Sequence, residues 1–425
     1  MIRATLGLCF LLLGSPLAAE TIAIVHARAI PVAGPPVEDA TIILAGGHIQ
    51  SVQAHGTVPS GSKVIDAAGR FVTPGLVGAA TQIGISEVLS ADDTTDQSVT
   101  SGPLGPAFDV QYAINSNSTL LPVARTDGLT RAMIFPGGGT TIPFSGMGAV
   151  VRLRSSGDIL ERPRAAMFSV IGNGTQSRAG GSRAAQWALL RNALGEARRL
   201  ASAPRVTIPR DQLLGRQDAE ALLPVVSGRM KLVIQANRES DIRQAIRLAS
   251  DERVAVVIMG GAEAWRAATE LAAAHIPVIL DPQADLPQTF DSIGARLDNA
   301  ALLSRAGVTI AFSVSGNGIY LSYNAGLDMR EGAGIAVANG LAYAAALAAI
   351  TAAPAQIWGI ERAGTLAVGA DADVVIWDGD PLEPSSAPIA VFVDGVQASL
   401  ATRQSALRDR YAPQRAGEAL PPAYR

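Results

Sequence analysis

A long alternation of apolar strands and helical segments, framed by strand-rich ends, limits the folds open to this 425-residue chain. The alternation begins after Thr73-Pro74-Gly75-Leu76 and continues to about residue 360, with a strand at 231–236 and a helix at 263–274. Parallel strands need crossover connections, which are usually helices, so the pattern predicts a parallel sheet. A closed (β/α)8 TIM-like barrel and an open doubly wound sheet both satisfy it, and the length of the region favours the barrel.

Short strands occupy both ends of the chain, for example at residues 21–28, 365–368 and 373–377. Because they flank the barrel, we expect the two ends to build one small composite β-sandwich, which gives an α/β protein overall. The predicted domains are the sandwich (20–72 with 362–402), the barrel (73–361), and a C-terminal helix and tail (403–425).

Residues 1–19 have the organisation of a secretory signal peptide. Arg3 supplies a positive start, and residues 6–13 form an apolar run that is too short for a bilayer, which needs roughly 20 residues. Small residues precede the cleavage expected near Ala18-Ala19. The single cysteine, Cys9, lies in this segment, so the mature chain is expected to lack disulfides and thiol ligands. We therefore expect a periplasmic or secreted protein without a membrane span after cleavage.

Composition narrows the class of partner. The chain is 48% hydrophobic and 17% charged, which fits a large buried core and excludes the composition of a disordered protein. A formal net charge of -3 offers no basic field, so nucleic acid is not an expected partner.

Two junction motifs resemble those of the amidohydrolase superfamily. Val72-Thr73-Pro74-Gly75-Leu76 is similar to the segment that leaves the family's β-sandwich and enters the first barrel strand. Residues 364–375 (GTLAVGADADVV) resemble the family's return to that sandwich, and residues 351–360 resemble the end of its last barrel helix. The motifs occur in order, a barrel's length apart, and the resemblance covers most of the mature chain. It is greatest to the exported imidazolonepropionase- and prolidase-like branch.

The resemblance implies a metal-dependent hydrolase of C–N bonds. Members use zinc or another divalent metal to lower the pKa of bound water and to polarise the scissile carbonyl. The family pattern has a His-x-His pair on strand one, a histidine on each of two middle strands and an aspartate base on the last strand. Members with two metals add a bridging lysine.

This sequence departs from that pattern at every position. The matching residues are Ala80 and Gln82 for the pair, Gln235 and Gly260 for the middle histidines, and Ser315 or Ser313 for the aspartate. We therefore predict that the chain has no metal site, no cofactor and no conventional catalytic residue.

The four histidines are placed elsewhere. His26, His48 and His55 fall in the N-terminal β region, and His275 precedes a barrel strand, at the end opposite the expected active site. Neither of the two lysines, Lys63 and Lys231, fits a bridging role. We interpret all four histidines as ordinary surface or half-buried residues.

Polar residues near the expected strand ends remain as candidates for binding a small ligand. They are Gln82, Asp109, Gln235, Asn237, Ser315 and Asn317. Carboxylates could instead hold Mg²⁺ or Ca²⁺ in a rearranged site, the candidates being Asp92, Asp93, Asp109, Glu239 and Asp281. The simpler interpretation of these acidic residues is solvated charge, helix capping or an internal loop hydrogen bond.

Three functions stay open at this stage. The favoured one is a catalytically degenerate family member that binds a small amide-like ligand or partners an active paralogue. The second is an active hydrolase with a carboxylate site. The third is a subunit of a homo- or hetero-oligomer, in which the alanine-rich segment 334–349 packs against a neighbour.

Overall fold

The computed structural model of the chain describes residues 20–88, 91–99, 101–102, 104–138, 143–172, 179–202, 212–284, 286–314 and 321–411. The signal segment 1–19 and residues 412–425 of the tail lie outside them. The strands form two eight-stranded sheets. Their bounds are β1 Ile22–Ala29, β2 Val37–Ala45, β3 His48–Ala54, β4 Lys63–Asp66, β5 Phe71–Pro74, β6 Leu76–Thr81, β7 Leu129–Ile134, β8 Phe144–Arg152, β9 Leu160–Val170, β10 Lys231–Ala236, β11 Val256–Gly260, β12 Val278–Leu280, β13 Ile310–Phe312, β14 Val374–Trp377, β15 Pro388–Val393 and β16 Val396–Gln397.

One sheet combines strands from both ends of the chain. Its order is β16-β15-β14-β5-β1-β2-β3, with β4 parallel to β1. The junction is the antiparallel pairing of β14 with β5. The strand expected at residues 365–368 is wrong: the chain there is irregular, and Gly369 donates a backbone hydrogen bond to Ile49 instead.

The second sheet is a nearly closed barrel in the order β13-β12-β11-β10-β9-β8-β7-β6, with β13 lying against β6. The fold class predicted from the sequence is confirmed. The barrel differs from a uniform (β/α)8 pattern in one place, because β8 is antiparallel to both β7 and β9. A turn of polar residues and Gly157 joins β8 directly to β9, so no helix is needed between them.

Helices cover the outside of the barrel. Their bounds are α1 Leu120–Thr126, α2 Arg183–Ser202, α3 Arg216–Ala221, α4 Leu223–Val226, α5 Glu239–Glu252, α6 Ala268–Ala273, α7 Asn299–Arg305, α8 Ala325–Ala338, α9 Tyr343–Ala349, α10 Ala352–Trp358 and α11 Arg403–Tyr411. None of the helices in the described ranges combines the length and apolar character that a membrane span requires.

The alanine-rich segment proposed to contact a neighbour packs within its own chain. It is split where α8 ends at Ala338, two residues before Gly340, which has a positive φ of 94°. A Cβ at Gly334 would lie 2.9 Å from the carbonyl oxygen of Leu382, so this small residue permits close packing inside the molecule. Gly334 is thereby explained by packing within the chain, and contact of this segment with a neighbour stays a prediction.

Aromatic side chains fill the barrel interior. Phe135 stacks on Phe168 with ring centroids 5.5 Å apart, and Phe168 also packs against Trp358 of α10. The indole Nε1 of Trp358 donates to the Ala79 carbonyl at 2.9 Å, and Lys231, at the start of β10, donates to the carbonyl of Ile357. These contacts attach α10 to the amino-terminal end of the barrel.

The burial of Asp127, at the end of α1, predicts that this residue makes a pH-dependent contribution to stability. Burial raises its pKa to about 6, above the ordinary value of 3.8, and outweighs the opposing effect of Arg330. Because its pKa is raised in the folded state, Asp127 contributes fully to the free energy of unfolding below about pH 4. This contribution is lost as the pH rises through about 6. The free energy of unfolding of Asp127→Asn should therefore equal that of the parent protein at pH 4 and exceed it by about 1–2 kcal/mol at pH 7. Urea unfolding across this range tests the difference, with the exposed Asp251→Asn as control. A constant difference between the two variants at all pH values would contradict the assignment.

Candidate functional site

A cavity of about 120 Å³ lies at the carboxyl ends of the barrel strands, the end where barrel enzymes carry their active sites. Gln82, Asp281 and Ser313 directly follow β6, β12 and β13, and Gln235 lies near the end of β10. The described residues that line the cavity are Ala80, Gln82, Phe135, Pro136, Gly137, Gly138, Gln235, Met259, Gly260, Asp281, Ser313, Val314 and Leu321. Four of the five positions matched to the family's metal ligands therefore meet in one cavity.

Gln82 is the least satisfied polar residue of this lining. Its side chain is 3% exposed, and its Oε1 has no hydrogen-bond partner among the described residues. Its backbone N–H donates to Leu321 at 3.1 Å, which fixes the residue at the cavity wall. An unsatisfied buried polar atom costs about 1–3 kcal/mol, so a bound molecule that supplies the missing partner would recover this energy.

Gln235 and Ser313 complete the neutral polar wall. Gln235 pairs in register with Val170 of β9 and Met259 of β11, and it is half-buried. The backbone N–H of Ser313 donates to Leu280 at 2.8 Å, which holds the start of the loop after β13 against β12. Amides and hydroxyls placed in this way can orient a ligand by hydrogen bonds.

Gly260 occupies a backbone position that only glycine adopts easily. Its φ is +95°, and a Cβ there would lie 2.5 Å from Oδ1 of Asn237. The same Oδ1 accepts the backbone N–H of Ala262 at 3.4 Å. Asn237 is not among the lining residues. Its side chain supports the turn after β11, and its role in ligand binding stays a prediction.

Asp109 also lies apart from the cavity lining. Its carboxylate accepts from Arg164 Nε at 2.7 Å, and also from the backbone and side chain of Gln111 at the start of a short 3-10 helix, Val110–Ala113. The internal loop hydrogen bond considered for Asp109 is therefore present, and its role in ligand binding stays a prediction. Ser315 and Asn317 lie outside the described residues.

Of the carboxylates considered for a rearranged site, Asp281 alone lines the cavity within the described ranges. It is 9% exposed, and its Oδ1 accepts the backbone N–H of Gln283 at 2.9 Å. Glu239 is paired with Arg243 at 3.0 Å, and Asp93 is exposed. The Asp92 side chain is outside the described part. Sequence reasoning placed Asp281 near a strand end but left it out of the binding candidates, although it directly follows an apolar strand.

Further acidic groups lie behind Asp281. Asp328, in the first turn of α8, has its pKa raised to about 6 by burial and by the nearby negative charges of Glu331 and Asp281. The Gln283 side chain donates to the Asp328 carbonyl at 2.6 Å, which ties the turn after β12 to this helix. Asp328 and Glu331 thus add two carboxyl groups on this side of Asp281.

The residues present do not fit the family's divalent metal. Of the four histidines in the sequence, His26 and His55 are exposed and lie near Asp66 and Asp39, and His48 lies 3.3 Å from Asp371. His275 precedes β12 at the other end of the barrel. Within the described ranges, no group of three or more His, Cys, Asp or Glu side chains could hold an ion. A borderline cation such as zinc is held by imidazole and thiolate far better than by neutral amides.

Comparisons with known proteins agree with this fold. The sequence profile described as "Amidohydrolase family" matches residues 259–400. An amidohydrolase crystal structure from Thermotoga maritima MSB8 superposes with a TM-score of 0.79 at 23% identity, covering 89% of this chain and 99% of that one. Residues 259–400 thus match the amidohydrolase family model, and the chain has the fold of this amidohydrolase.

Other similar proteins superpose less well or match only a short segment. A prolidase crystallised with N-methylphosphonate-L-proline has a TM-score of 0.55 at 16% identity, covering 89% of this chain and 99% of that one. Amidohydrolase tasK of Hapsidospora irregularis is 51% identical over 57 residues, which are 13% of this chain and 6% of that protein. The chain thus spans a small fraction of this curated relative.

Proposed function

We propose that this chain is an exported amidohydrolase-family protein that no longer carries out metal-dependent C–N hydrolysis and instead binds a small amide-like ligand at the barrel mouth. One observation carries the proposal. Ala80, Gln82, Gln235 and Gly260, which match the family's metal-ligand positions, all line the cavity, and none of these residues is a metal ligand of the family type. The cavity therefore lies where the family's reaction takes place but lacks the residues that would bind the metal.

The unpartnered amide of Gln82 supports a binding role. A cavity that retained buried polar atoms without any ligand would lose stability, whereas a ligand with complementary donors offsets that loss. Export is part of the proposal because residues 1–19 read as a signal peptide. We also propose that the mature protein acts as a homo-oligomer or beside an active paralogue, for which the exposed side chains of Phe290 and Ile293 offer an apolar surface.

The competing function is hydrolysis with a rearranged carboxylate site. The observation that favours it is Asp281, a buried carboxylate in the cavity. A single carboxylate with neutral amides suits a hard cation such as Mg²⁺ better than zinc. The two functions make opposite predictions about metal content.

Elemental analysis of the mature protein, purified without a histidine tag, distinguishes them. We expect less than about 0.1 equivalent of any transition metal, Mg²⁺ or Ca²⁺, even after soaking and desalting, because the described lining lacks the ligands that bind these ions tightly. Hydrolysis of a panel of dipeptides, cyclic amides and ureas should be undetectable with or without chelator. One equivalent of metal, together with turnover that a chelator abolishes, would establish the hydrolase instead. Asp281→Asn would then remove both.

A further inference from the structure

We propose that the barrel-mouth cavity selects a small organic cation with several N–H donors on its charged head, of the amidinium class. The proposal rests on the ligand-binding function above and adds the charge and hydrogen-bonding pattern of the ligand. Among the described residues, it follows from the one formal charge in the lining, from an amide oxygen without a partner and from the size of the cavity.

Asp281 sets the preferred charge. Of the described residues that line the cavity, it is the one that carries a formal charge, and the others are apolar side chains, glycines, amides and a hydroxyl. In a buried setting a carboxylate attracts a cation and repels an anion far more strongly than it does in water. Glu331 and Asp328 add negative charge behind Asp281.

Two arginines near the carboxyl ends of the strands are paired with carboxylates. Arg183, at the start of α2, and Arg238, before α5, both pair with Asp291, and Arg183 also lies near Asp241. Neither arginine lines the cavity. An anionic ligand would therefore find no cation in the described lining.

Gln82 supplies an independent second contact. Its side chain is nine-tenths buried or more, lines the same cavity and keeps Oε1 without a partner among the described residues. A carbonyl oxygen accepts N–H donors, and an amidinium has donors on both nitrogens. One head group can thus donate to Asp281 and to Gln82, and the bond to the carboxylate is charge-assisted.

The size of the cavity limits the ligand head to a few atoms. An apolar cavity of roughly 150 Å³ holds a benzene-sized molecule, and this one measures about 120 Å³. Phe135, Met259 and Leu321 provide an apolar part of the lining for an alkyl substituent. An aromatic ring in the wall also tolerates a cation better than an anion.

Three probes of nearly the same shape test the charge. Acetamidinium, acetamide and acetate are positive, neutral and negative, and each has four heavy atoms. We expect saturation-transfer NMR titration of the mature protein at constant ionic strength to show acetamidinium binding at least about fivefold more tightly than acetamide, because charge-assisted hydrogen bonds are about twice as strong as neutral ones. Acetate should not bind.

Two variants and one control locate the effect. Asp281→Asn keeps the acceptor for the Gln283 N–H and removes the charge. The affinity for acetamidinium should therefore fall to that for acetamide. Gln82→Leu should weaken both acetamidinium and acetamide severalfold. Asp39→Asn changes the net charge equally on β2, away from the barrel mouth, and should leave all three affinities unchanged. Thermal unfolding of each variant verifies that it is folded.

The outcomes separate the two proposals. If acetamide binds as tightly as acetamidinium, or if Asp281→Asn leaves the preference intact, the inference about charge is overturned and the binding function stands. If no probe binds, the amidinium inference is also overturned, and metal content with turnover then decides whether the proposed function survives. If acetate binds best, a cation outside the described lining controls the site, which contradicts the proposal directly.

Discussion

Replacing Asp373 with alanine should lower the free energy of unfolding by about 3–5 kcal/mol, because it leaves two buried guanidinium groups without their shared carboxylate. Asp373 accepts hydrogen bonds from Arg131 and, at 2.7 Å, from Arg152 Nη2, and it also accepts the backbone N–H of Asp394 at 2.8 Å. Both arginines come from barrel strands, whereas Asp373 directly precedes β14 and Asp394 lies between β15 and β16 of the terminal sheet. These contacts therefore attach one sheet to the other.

This loss is large because both guanidinium groups are buried, where water cannot replace the lost carboxylate. Arg131 is fully buried and also contacts Asp371, at 2.5 Å, and Glu161, at 2.8 Å. Burial lowers the pKa of Arg131, but the three carboxylates outweigh burial and raise it, so the guanidinium stays charged and cannot escape the penalty by losing its proton. Arg152 is nearly as buried. A buried charge deprived of its partner is among the costliest changes that a protein can undergo.

Chemical unfolding of Asp373→Ala and Asp373→Asn measures the effect, and Asp251→Ala is the matched control. Asp251 is exposed and pairs with Arg191 at 3.0 Å, so its loss should cost less than about 1 kcal/mol. Asp373→Asn keeps the shape and an acceptor and should cost less than alanine. A loss below about 1 kcal/mol for Asp373→Ala would show that this network does not hold the two sheets together.

The sequence predicts the fold well because the strands are bounded by strong local signals. The strand at 231–236 is found at those residues, and the barrel begins where Pro74-Gly75 breaks the first sheet. Gly75 is needed at that junction: a Cβ there would lie 2.2 Å from Thr130 Oγ1. The antiparallel strand β8 is harder to foresee, because an apolar run does not reveal strand direction. It depends on the short turn at Gly157.

The site is harder to predict from the sequence than the fold, because it depends on which side chains point into the cavity. Motif spacing brings Ala80, Gln82, Gln235 and Gly260 to the cavity, since each follows or ends a barrel strand. It does not reveal that Asp109 accepts hydrogen bonds from Arg164, which is distant in sequence, and from Gln111, which is nearby. It also gives no sign that Oε1 of Gln82 lacks a partner, because satisfaction of a buried amide is a property of the packed structure.

Placing a histidine at position 260 should destabilise the protein rather than create a metal site. Gly260→His places a side chain at φ +95° and a Cβ 2.5 Å from Oδ1 of Asn237. The backbone conformation alone costs about 1–2 kcal/mol for a residue with a Cβ, and displacing Asn237 also removes its hydrogen bond to Ala262. We expect a total loss of about 3 kcal/mol in urea unfolding.

Two comparisons divide that loss into its parts. Gly61 has a similar φ of +80°, and a Cβ there would have nothing within 4 Å. The loss of stability in Gly61→Ala should therefore be the conformational cost alone. Adding Asn237→Ala to Gly260→His should remove the steric part and leave about 1–2 kcal/mol. A stable Gly260→His variant, or one that zinc stabilises strongly, would show that the turn after β11 can still present a ligand. If the loss is as expected, the turn around Asn237 does not accept a side chain at position 260. A metal ligand then cannot be introduced there by this single substitution, because the backbone position excludes it.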